Sequence, residues 1–267
     1  MLESGTRLKA DLAVLATDAP SCNERGMPET AIVRALDLTA ATTGESEKTL
    51  VARGMVRGRD FDAVIVRDGR TRRDLNTASM TAKLLYALPS GKLLGAQTVG
   101  SDQCIDTLAA VLRMGGTVAD LSKLGAAYAS PFSSSLGLIA EAGSAACDQM
   151  AGLVRFSAWD DPETVENVQV VDVRQPDECE SLPFPNAINI PLEQLRERLE
   201  ELDPARPTIT VSCHDMRAYA AARILMQHGF AHVSVYPAGA RFYKSTHLDV
   251  AAWTAYLEDL IACEWRS

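Results

Sequence analysis

The chain has 267 residues, 47% hydrophobic and 23% charged; this is the composition of a folded chain of one or two domains, and it excludes disorder and collagen-like repeats. No run reaches the ~18 apolar residues of a membrane span, and residues 1–20 carry Glu3 and Asp11 around a short apolar core, so they do not read as a signal peptide. The net charge of −9 is uneven: residues 1–150 hold 16 basic and 17 acidic side chains, residues 151–267 hold 10 and 18, a balance that disfavours nucleic acid and the general steering of anions.

Residues Leu2–Leu15 read as a hairpin, and the polar, Pro- and Gly-bearing stretch 18–30 as a linker. The apolar residues from Ala31 to Thr43 predict one strand, and Ser46 caps a short helix ending near Gly54. Strands follow at Phe61–Arg67, Ser79–Leu88 and Leu93–Val99. The 3-1-3 spacing of Ile105, Leu108, Ala109 and Leu112 predicts a helix, Thr117 caps a second, and Leu136–Ala151 is a third. The first half is therefore an α+β unit with antiparallel strands.

The second half changes rhythm. Strands are expected at Val168–Val173, Thr208–Ser212 and His232–Tyr236, and helices at Leu192–Leu202, Arg217–Gln227 and Ala252–Cys263. Such alternation implies an α/β unit, a parallel sheet covered by helices on both faces. The expected division is a hairpin and linker at 1–30, an α+β domain at 31–151 and an α/β domain at 152–267.

Ligands of parallel sheets sit beyond the carboxyl ends of the strands, which directs attention to Ser212-Cys213-His214-Asp215-Met216-Arg217. None of the six cysteines forms a CxxC pair, and no Cys/His group has zinc spacing. Reduced thiols in a cytoplasm are the default for such a chain, and a buried structural role is the default for each cysteine. Cys213 departs from that default, because a thiolate there faces loop amides and the positive end of a helix, an environment that favours ionisation. Asp215 opposes it. His214 is a possible acid/base partner, although a loop histidine is more often simply solvated. His228 before Gly229 reads as a helix C-terminal cap, and Arg196 and Arg198 among four glutamates read as a solvated helix face.

Asp172-Val173-Arg174, Glu178, Asn186–Leu192 (NAINIPL), a cysteine loop after a strand and Arg217–Phe230 together resemble a rhodanese domain over residues 155–250. The resemblance implies that Cys213 carries sulfane sulfur as a persulfide and passes it to a small thiol. It implies that the amides of His214, Asp215, Met216 and Arg217 hold the charge, with Asp172 and Arg174 bracing the loop. The loop differs from the family's C-x-x-G-x-R: Cys213 to Arg217 is four steps, without glycine. If Arg217 sets the register, Ser212 takes the nucleophile's place. The family's GHIPGA reads SLPFPNA here, and its D-G-G reads Pro237-Ala238-Gly239-Ala240. Arg217 is the one basic residue of the loop, which makes thiosulfate a weaker donor than a thiol persulfide.

In the first half, AATTGESEKTL (Ala40–Leu50), GKLLGAQTVG (Gly91–Gly100), TVADLSKL (Thr117–Leu124) and AYASPFSS (Ala127–Ser134) resemble the dimerisation domain of pyridine nucleotide-disulfide oxidoreductases. The match is nearest to coenzyme A disulfide reductases with an appended rhodanese domain. It implies a homodimer. No GxGxxG follows a strand, so the FAD and NAD fingerprints are absent and no cofactor is expected. Three readings remain open: a sulfurtransferase acting on thiols or persulfides of the glutathione or coenzyme A type, a dimeric binding module without catalysis, and a fragment of a flavin-dependent reductase.

Overall fold

The computed structural model describes residues 30–35, 38–67, 80–100, 104–124, 135–213 and 215–247. The expected hairpin at 2–15 and helix at 252–263 lie outside the described residues. The first unit is a five-stranded antiparallel sheet in the order β1-β2-β5-β4-β3, from β1 (Thr30–Ala35), β2 (Leu38–Gly44), β3 (Phe61–Arg67), β4 (Thr81–Ala87) and β5 (Leu93–Val99). The single strand expected over 31–43 is two strands, with Ala35 paired to Leu38. That run contains neither Gly nor Pro, and the single Asp37 between apolar neighbours is a weak mark of its reversal.

The helices of this unit follow their caps. Ser46 accepts from the Thr49 amide at 3.1 Å to start α1 (Glu47–Ala52). Helix α2 (Ile105–Arg113) buries Ile105, Leu108 and Val111. Thr117 and Asp120 form a capping box at α3 (Val118–Ser122). Helix α4 (Ser135–Met150) buries Leu138, Ile139, Ala142 and Ala146 against Val64, Leu84 and Tyr86 of the sheet.

The second unit is a four-stranded parallel sheet in the order β7-β6-β8-β9, from β6 (Gln169–Asp172), β7 (Ala187–Asn189), β8 (Thr208–Val211) and β9 (Val233–Val235). Its other elements are α5 (Asp161–Thr164), α6 (Pro176–Ser181), α7 (Asp215–Gln227) and α8 (Gly239–Thr246). Alternate residues of β6 serve two cores, as the period of a strand requires. Val171 packs with Ala218, Ala221, Ala222 and Leu225 of α7. Val170 packs with Ile209, Val211, Tyr236, Phe242 of α8 and Ile65 of β3.

The helix expected over 192–202 is two short 3-10 turns, Leu192–Gln194 and Leu199–Glu201. Leu195 and Leu202 reach the core as the leucine spacing predicts. Glu193, Glu197 and Glu201 stand four apart, and like charges at that spacing work against a continuous helix.

Gly143 of α4 lies against α3 so closely that a Cβ there would sit 2.5 Å from the Ser122 amide nitrogen and 2.8 Å from the Val118 carbonyl oxygen. Gly→Ala inside a helix ordinarily stabilises by about 1 kcal/mol. Here the sign should reverse: Gly143→Ala is expected to lower the melting temperature by at least about 2 °C in a thermal unfolding scan.

Candidate functional site

The site begins at the carboxyl end of β6. Asp172 ends the strand and Arg174 turns back onto it. The Arg174 amide donates to Asp172 Oδ1 at 3.1 Å, Nε donates to the same oxygen at 2.8 Å, and Nη2 bonds Oδ2. The pair is fully enclosed, with Arg174 0% and Asp172 2% exposed. Burial opposes the arginine's charge, but the bonded Asp172 carboxylate outweighs it and raises the guanidinium pKa. Asn189 from β7 locks the turn by donating to the carbonyls of Asp172 and Arg174, both at 2.9 Å.

The nitrogen of Arg174 that Asp172 does not engage is Nη1. It donates to the Glu178 carbonyl at 3.4 Å and lies 4.0 Å from Cys213 Sγ. Cys213 follows β8 and precedes α7, and it is half-buried. Its thiol also faces Glu178 Oε1 at 3.6 Å. Glu178 belongs to α6, whose start is set by Pro176 and a Gln175–Glu178 capping box. The Glu178 carboxylate takes a fork of two 2.7 Å bonds from Arg217 of α7. Arg217 holds it well below the usual carboxylate range, at about 2.

From the other side the loop rests on α8. The Ala240 amide donates to the Ser212 carbonyl at 2.9 Å. Gly239 has φ +72°, and a Cβ on it would meet the carbonyl oxygens of Cys213 and Ser212 at 2.5 and 2.6 Å. Only glycine accepts both that backbone and that approach.

The structure therefore brings Asp172, Arg174, Cys213 and Arg217 together. His214 lies outside the described residues, and of Asp215 only the backbone is described. Met216 is 78% exposed. Ser212, the alternative nucleophile of the shifted register, is 0% exposed, so Cys213 is the residue that opens to the site. Helix α7 begins two residues before Arg217, which makes Met216 and Arg217 part of its first turn.

In the sequence Glu178 is only one residue of a motif; its position against the thiol comes from the packing of α6 beside Cys213. Cys179 is a second thiol here. Asn189 donates to it at 3.3 Å, and burial, then the Asp172 charge, push its pKa up to about 11, so it stays protonated at neutral pH. Among the described residues no group of His, Cys, Asp and Glu could hold a metal ion, and no helix is long and apolar enough to cross a membrane.

This arrangement is that of a rhodanese-like domain, and residues 159–245 match the family model of that description. Residues 30–135 match the dimerisation domain of pyridine nucleotide-disulphide oxidoreductases. The chain thus joins an oxidoreductase-type dimerisation domain to a rhodanese-like domain. Among solved structures it is similar to reduced CoADR-RHD from Bacillus anthracis, at 33% identity and TM-score 0.71, over 81% of this chain and 39% of that one. It is also similar to an NAD-dependent persulfide reductase from A. fulgidus, at 27% identity and TM-score 0.70, over 84% of this chain and 40% of that one. The chain therefore spans about two fifths of the length of each. No curated protein matches it.

Two outcomes follow from the charges. Arg174→Met leaves the Asp172 carboxylate buried without its counter-ion, with the residue-174 amide still donating to it, and is expected to cost about 3 kcal/mol in denaturant unfolding, most of it regained in the Asp172→Leu/Arg174→Met double variant. Glu178 has a lowered folded-state pKa, so its contribution to stability is complete above its ordinary value of 4.5 and is lost as pH falls toward about 2. Melting temperatures followed across that window should fall more steeply for the native chain than for Glu178→Gln.

Proposed function

We propose that the chain is a rhodanese-like sulfurtransferase that moves sulfane sulfur through a persulfide on Cys213 to a small thiol acceptor of the glutathione or coenzyme A type. The observation that carries this reading is the setting of Cys213 Sγ: open to the site, 4.0 Å from Arg174 Nη1, at the junction of β8 and α7.

The Cys213 thiolate attacks the outer sulfur of a donor, a new S–S bond forms, and the donor's leaving group departs with the electrons of the broken bond. The persulfide anion is then held by the Arg174 guanidinium and by the positive end of α7, which starts at Asp215. An acceptor thiolate attacks the terminal sulfur, and Cys213 leaves as a thiolate. Asp172 and Arg174 act by position, holding Nη1 toward the sulfur. Sulfur passes between nucleophiles in both steps, so the transfer itself calls for neither flavin nor nicotinamide.

The family-level matches support sulfur chemistry, and the dimerisation-type first domain supports a homodimer, which we place in the reducing cytoplasm. A second reading, a dimeric binding module without transfer, draws on the fact that the Arg174 and Arg217 guanidiniums are both bonded to carboxylates. Mass spectrometry separates the two. After treatment with glutathione persulfide or coenzyme A persulfide, the peptide bearing Cys213 should gain the mass of one sulfur atom. Added thiol should remove it, and Cys213→Ser should never acquire it. A native protein that gains no sulfur from either persulfide is a binding module.

A further inference from the structure

The charges around Cys213 close into two neutral pairs. Arg174 is bonded to Asp172 within the core. Arg217, the other guanidinium of the site, gives two of its N–H groups to the Glu178 carboxylate at 2.7 Å each. The same carboxylate presents Oε1 to Cys213 Sγ at 3.6 Å. An anion approaching the sulfur therefore meets a carboxylate already seated on the nearer face of Arg217.

From this geometry we infer that Glu178 sets the charge selectivity of the site: it occupies the anion position of Arg217 and makes Cys213 accept sulfur from donor groups that carry at most one negative charge next to the transferred sulfur in preference to dianionic groups, whatever charge the donor carries farther away. The inference rests on the sulfurtransferase reading and deepens it. Three features of the site converge on it. Glu178 keeps its charge through the whole working pH range, since Arg217 holds its pKa near 2. Its backbone is anchored at the start of α6, where the Gln175 amide donates to Oε2 at 3.0 Å and the Glu178 carbonyl accepts from Arg174, so the carboxylate does not swing freely out of the way. The surrounding half of the chain, with 10 basic and 18 acidic side chains, supplies no compensating positive field.

The test uses two donors of nearly one shape that differ by one charge. Thiosulfate is a dianion; methanethiosulfonate replaces one of its oxyanions with a methyl group and is a monoanion. With each, the Cys213 thiolate bonds to the outer sulfur and the donor's S–S bond breaks, the electron pair leaving on sulfite or on methanesulfinate. The readout is the rate at which Cys213 gains one sulfur, by mass spectrometry of the full chain. The native protein should load from methanethiosulfonate at least about tenfold faster than from thiosulfate, after division by the ratio of the two donors' rates with a free small thiol; one unit charge a few ångströms from the reacting atoms has an effect of this order.

Glu178→Gln keeps the side chain's length and an acceptor oxygen for Arg217 while removing the negative charge that neutralises it, and should bring the corrected ratio close to one. Glu193→Gln removes an acid that bonds Gln175 at 3.0 Å and should leave the ratio where it was. Should Glu178→Gln not fold, salt carries the test in the native protein: raising ionic strength to about 0.5 M screens the carboxylate and should narrow the ratio. Loading from both donors at a ratio that neither the substitution nor salt changes overturns the selectivity and leaves the transferase standing. No loading from either donor overturns both.

Discussion

The ion pair of Asp172 and Arg174 is the constraint on which the arrangement around Cys213 depends. Taking two charges out of water costs several kcal/mol per ion, repaid only where hydrogen bonds satisfy both groups. Here the two residues are separated by one position in the chain. The carboxylate accepts from the arginine's own amide, from Nε and from Nη2, and the carbonyls on either side are held by Asn189. A guanidinium clamped along one edge has only one direction left for Nη1, and that direction is toward Cys213. The orientation of this cation, 4.0 Å from the sulfur, is thus fixed by the core of the domain, not by the loop that carries the thiol.

This bears on the short cysteine loop, which has no glycine of its own. In a loop that depends on converging amides, losing a residue loses donors. In this chain part of the positive charge comes from beneath, through Arg174, and the loop's shape is held from the side by α8, where Ala240 bonds the Ser212 carbonyl and Gly239 lies under the Cys213 backbone. Arg217, which the spacing marked as the loop's cation, is instead committed to Glu178.

Much of this was legible in the residues. Caps at Ser46 and Thr117 placed α1 and α3 because a hydroxyl that accepts from the third amide acts locally. The buried strands β6 and β8 announced themselves as β-branched runs, and Cys213 followed from its place after one of them. What stayed hidden depends on distant partners. The reversal between β1 and β2 has Asp37 as its one turn-favouring residue, with neither Gly nor Pro to mark it. Helix α8 starts from Ala238 at φ 59°, a conformation that alanine disfavours and that no local pattern signals. Glu178 stands 39 residues from Arg217 in sequence, and only the folded sheet brings them to one another. The opposite error arose at 192–202, where leucines at core spacing suggested a helix that the glutamates between them do not support.

Helix α8 also relates the sulfur site to the first domain. At ~1.5 Å per residue its eight residues run about 12 Å. Its first residue lies against the carbonyls of Ser212 and Cys213, and near its far end Ser245 accepts from Arg67 of β3 at 3.1 Å. Phe242, between them, is fully buried in the core that also takes Ile65 of β3. One rigid element therefore touches the cysteine loop at one end and the antiparallel sheet at the other. The Ile65 contact contributes through apolar burial, and it adds to a polar contact that alone is worth ~1 kcal/mol. The position of Cys213 is accordingly set by both domains: by β6 through the buried ion pair, and by the first sheet through the helix beneath the loop.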